Sequence, residues 1–60
     1  MLAMEIEEHA RKMLAMYGDR ALPEVAQKAA ALERSGDKDQ ASDWRRIEKA
    51  LREMRGPRAS

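Results

Sequence analysis

The sequence predicts an all-α protein of three helices, spanning about residues 2–17, 20–35 and 38–55, arranged as a small helical bundle or an intertwined helical dimer. Three observations carry that expectation. Apolar residues recur at steps of three and four instead of alternating, which is the period of a helix face and not of a strand. Two Gly-Asp junctions, Gly18-Asp19 and Gly36-Asp37, each pair a residue that readily ends a helix with one that readily starts the next. The links left between the apolar runs are only a few residues long, short enough to fold sequential helices back as hairpins.

The first helix places Leu2, Ile6, Ala10, Met13 and Tyr17 on one stripe. On its outer surface Glu7 precedes Arg11 and Glu8 precedes Lys12 by four residues, a spacing that stabilises a helix by a few tenths of a kcal/mol per pair. Gly18 ends this run. Asp19 is expected to cap the second helix by accepting free amide hydrogens of its first turn. Pro23 complicates that start. A helix beginning at Arg20 keeps Pro23 in the first turn, where it forfeits at most one hydrogen bond; a helix beginning at Pro23 would leave residues 20–22 extended. The earlier start, with a distorted first turn, is favoured.

The second helix carries Leu22, Val25, Ala26, Ala29 and Leu32 on one face, beside Ala21, Ala30 and Ala31, small residues that allow a neighbouring helix close. Ser35-Gly36 ends it. Asp37 with Gln40 three residues on forms a relative of the capping box, which opens the third helix. That helix presents Ala41, Trp44, Ile47, Leu51 and Met54 on one stripe, with Trp44 expected in the core, and Gly56-Pro57 stops it. Residues 1–56 therefore read as a single domain and residues 57–60 as a frayed tail.

A wider pattern runs through Tyr17-Gly18-Asp19, Ala26, Lys28, Ala29, Leu32, Gly36-Asp37, Trp44, Arg46, Ile47, Ala50 and Leu51. With these residues the stretch from Ala10 to Met54 resembles a group of short alphaproteobacterial helical proteins that form a domain of unknown function. Tyr17 stands where that pattern most often has His, and Pro23 where it has an ordinary apolar residue. The resemblance implies a shared helical fold and carries over no activity.

A chain of 60 residues buries only about 60% of the surface its unfolded form exposes, so the core must be thin. With no cysteine and a single histidine, neither disulfides nor a structural zinc site can reinforce it. Self-association remains, and the expected partner is a copy of this chain or another protein. The candidate core or interface residues are Ile6, Met13, Tyr17, Trp44, Ile47 and Leu51. No segment approaches the roughly 20 apolar residues of a membrane span, so no membrane partner and a cytoplasmic location are expected.

The formal net charge is only +1, but basic residues gather late in the chain. An alternative reading therefore makes the third helix a nucleic-acid surface, with Arg45, Lys49 and Arg52 contacting phosphates. Glu48 and Glu53 interrupt that patch, a Glu48–Arg52 pair would neutralise part of it, and basic residues near a helix C-terminus are also what the helix dipole favours. Other chemistry is sparse. Glu5 and His9 could share a metal but offer too few ligands, and the pairs Met1/Met4 and Met13/Met16 suit packing better than copper. With no cysteine nucleophile, no partner set for His9 and only isolated glycines, the chain is expected to be no enzyme and to carry no metal or other cofactor.

Overall fold

The computed structural model describes residues 3–54. Leu2, the expected third-helix end at Arg55, the Gly56-Pro57 stop and the tail 57–60 lie outside the described residues. Every described residue except Gly36 and Asp37 lies in a helical segment. In order these are α1 (Ala3–Tyr17), a 3-10 turn (Gly18–Arg20), α2 (Ala21–Ser35) and α3 (Lys38–Met54).

The first junction differs from expectation. Helical structure runs unbroken from Ala3 to Ser35, so α1 and α2 are one continuous helical stretch and not two separately bounded helices. The stretch is nonetheless bent. Straight, it would be about 50 Å long, whereas the longest dimension of the protein is 35 Å. Gly18 makes the bend, with φ +58°, a left-handed conformation that costs other residues about 1 to 2 kcal/mol. On either side Tyr17 and Arg20 stay right-handed.

This geometry corrects the position expected of Asp19. It lies inside the 3-10 turn, and the position preceding α2 is Arg20, which makes no side-chain capping hydrogen bond. The reason lies in the backbone. Because the chain enters α2 already helical, the turn itself supplies acceptors, and the Ala21 N–H donates to the Gly18 carbonyl. Pro23, third in α2, brings no N–H that would need one.

The second junction is a true break. Gly36 adopts φ +87°. Its N–H donates to the Glu33 carbonyl at 3.2 Å and the Asp37 N–H to the Leu32 carbonyl at 3.0 Å, the paired closing bonds of a Schellman turn. Asp37 Oδ1 then accepts the Gln40 N–H at 3.2 Å, capping α3. Only this half of the expected capping box forms, because the Asp37 N–H that a Gln40 side chain would accept is already donated to Leu32.

Packing follows the predicted stripes. α3 lies against both α1 and α2 of the same chain. Ile6 and Ala10 from α1, Ala21, Val25 and Ala29 from α2, and Ala41, Ile47 and Leu51 from α3 are buried. Four of these eight are alanines, which lets the helices approach closely but leaves little apolar volume in the core. Met13, Leu14, Leu22, Trp44, Ala50 and Met54 close over it, each partly buried. Trp44, expected in the core, therefore sits at its rim. Among the described residues no helix is long and apolar enough to cross a membrane.

Candidate functional site

Two clusters organise the surface around α3. The first is an ion-pair chain across the α2–α3 seam. Arg45 presents Nε and Nη2 to the two carboxylate oxygens of Glu33, both at 2.9 Å, in the bidentate geometry that a planar guanidinium favours. Its Nη1 donates to Glu48 Oε1 at 2.9 Å, and the second Glu48 oxygen accepts from Arg52 Nη2 at 3.0 Å. Glu48 is buried on the core-facing side of α3, so its carboxylate must be paired to be tolerated there. The two arginines provide that pairing.

The electrostatic consequence is directional. The hydrogen bonds from Arg45 hold the Glu33 carboxyl below its ordinary value, and those accepted by Glu33 and Glu48 push the Arg45 guanidinium further above its own. Both side chains are about half exposed, so solvent screens the pairs and they add only modestly to stability.

The second cluster is centred on Trp44. The His9 ring of α1 lies 6.1 Å from it at a tilt of 58°, within the range of favourable aromatic contacts. Lys28 Nζ of α2 lies 6.0 Å from the indole centroid. At an exposed site such a cation contributes about 0.5 to 1 kcal/mol. One half-buried side chain of α3 thus touches both other helices.

The sequence-predicted residues divide accordingly. Ile6, Ile47 and Leu51 are buried within the chain, Met13 and Trp44 are partly buried, and Tyr17 stays 37% exposed. The large apolar side chains left outermost are Met4 and Met16, both on α1. Of the candidate phosphate contacts, Arg45 and Arg52 are engaged by carboxylates and Lys49 is exposed on α3. The expected Glu48–Arg52 pair forms, as does Glu7–Arg11 at 3.7 Å. Glu8 and Lys12 form no such pair with each other among the described residues.

Sequence reasoning missed the Glu33–Arg45 contact and the placement of Lys28 over Trp44. Residues 12 positions apart meet only once the helix register is set, and no local spacing signals that. Among the described residues no group of three or more potential metal ligands converges and no pocket forms. No protein-family model, curated protein or solved structure matches the chain.

Proposed function

We propose that this protein is a small, non-catalytic helical interaction module that associates with a copy of itself in the cytoplasm, with α1, α2 and α3 serving as its three packing units. The observation that supports this reading most is the contrast between an alanine-rich core and the large apolar side chains that α1 leaves outside it, Met4 at 76% and Met16 at 70% exposure, with Tyr17 beside them. Burying such side chains stabilises by about 25 cal/mol per Å2 of apolar surface removed from water, and a thin core leaves that gain to be made against a partner.

The nucleic-acid alternative draws less support, because Arg45 and Arg52 already face Glu33 and Glu48. The resemblance to the alphaproteobacterial domain is compatible with an interaction role and adds no activity to it. Sedimentation equilibrium tests the proposal. The expected result is an apparent mass that rises toward that of a dimer with concentration, together with a melting temperature that climbs in parallel. A monomer at high micromolar concentration, with a melting temperature independent of concentration, would remove the homo-oligomeric reading.

A further inference from the structure

Met4, Glu8, Lys12 and Met16 follow one another at intervals of four along α1, and all four are exposed. Residues at that interval form one of the ridges of a helix surface, inclined to the axis, so the four side chains lie in a single row about 18 Å long. The row has an internal symmetry. Read backwards it returns methionine for methionine and exchanges glutamate with lysine, about a centre at residue 10.

We propose that this row is the self-association surface of the protein, with two copies of α1 crossing antiparallel about a two-fold axis near residue 10. The inference rests on the self-association reading above and names its surface. In that arrangement Met4 lies against the partner's Met16 at both ends, Glu8 faces the partner's Lys12, and Lys12 faces the partner's Glu8. Rows of this kind run alongside each other in the commonest class of helix crossing, in which the interval-of-four ridges of both helices interdigitate at about −50°.

Three observations select a second copy as the occupant. A two-fold interface must be self-complementary, and this row is. Its two ends carry the most exposed large apolar side chains of the described residues, at 76% and 70%. Its two central charges, though spaced to pair along the helix, do not pair with each other among the described residues, while the neighbouring Glu7 and Arg11 do. An unrelated helix would need the same row in reverse to match both charges and both apolar ends. The row is short, so the association is weak and concentration-dependent.

The test uses E8K and K12E in the full chain, read by sedimentation equilibrium beside the wild-type protein. Each reversal sets like charges opposite each other twice across the two-fold axis, and each variant alone should dimerise at least about tenfold more weakly than wild type. An equimolar mixture of the two variants restores both opposite-charge contacts and should recover dimer. Because the chain has no cysteine, orientation can be read from M4C and M16C. Oxidising their mixture should give the M4C–M16C disulfide in preference to either homodisulfide. E8K and K12E variants that each dimerise as tightly as wild type, or M4C joining mainly to itself, would overturn the row while leaving self-association standing. A wild-type monomer throughout would overturn both.

Discussion

The α2–α3 hairpin and α1 are held in the molecule by different means. Between α2 and α3 every kind of restraint is present: a Schellman turn and an Asp37 cap at the link, Val25, Ala29, Ile47 and Leu51 buried along the seam, and the bidentate Glu33–Arg45 pair across it. α1 docks through Ile6, Ala10 and the tilted His9–Trp44 contact, and it enters the bundle by a continuous helical bend at Gly18. The hairpin uses its apolar residues internally. α1 divides its own between the core, at Ile6 and Ala10, and the outside, at Met4 and Met16.

Core truncation should separate the two regions most strongly. Ile47→Ala or Leu51→Ala removes a fully buried side chain of α3 and should cost about 3 kcal/mol by chemical denaturation, whereas Met16→Ala on α1 should change monomer stability by less than about 0.5 kcal/mol. Trp44→Ala comes next, at about 2 kcal/mol, below the value for a fully buried tryptophan because the indole sits at the rim. It should also loosen α1, since it removes the ring that His9 packs against. A loss as large as that at Ile47 would mean that the indole is buried in solution.

Within the hairpin, Glu48→Ala should cost about 1 to 2 kcal/mol by leaving Arg45 and Arg52 short of a partner. Glu48→Met should cost less: it deprives the same two exposed arginines of their acceptor but keeps apolar contact at a buried position that Ala would leave unfilled. Gly36→Ala should cost about 1 kcal/mol: an added Cβ would meet nothing within 4 Å, so only the left-handed backbone opposes it. Gly18→Ala should cost a similar amount and straighten the α1–α2 bend.

The smallest effect concerns pH. The hydrogen bonds from Arg45 hold the Glu33 carboxyl below its ordinary value of 4.5 in the folded protein, so its contribution is fully present above that ordinary value. It is lost as pH falls through the lowered folded value. An acid titration of melting temperature should therefore show a small drop that is absent in Glu33→Gln.

Much of this was legible locally. Gly36-Asp37 marks a helix end and start because its signals act over a few residues, and the burial of Ile47 and Leu51 follows from the stripe that α3 presents. The pairs Glu7–Arg11 and Glu48–Arg52 follow from helical spacing alone. The Gly18-Asp19 signal differs because the same dipeptide is absorbed into a 3-10 turn that runs straight into α2, so Asp19 is not the residue preceding that helix. The Glu33–Arg45 pair and the Lys28–Trp44–His9 cluster depend on how three helices slide against one another. That register is set by packing among small alanines, which sequence periodicity does not resolve.

The contrast between the two regions is tested most directly by native-state amide hydrogen exchange at low and high protein concentration. The account predicts that amides of α3 around Ile47 to Leu51 exchange only on global opening, while those of α1 around Glu8 to Lys12 open more readily and gain protection as concentration rises. Equal protection of α1 and α3 at low concentration, with no change in α1 at high concentration, would contradict it.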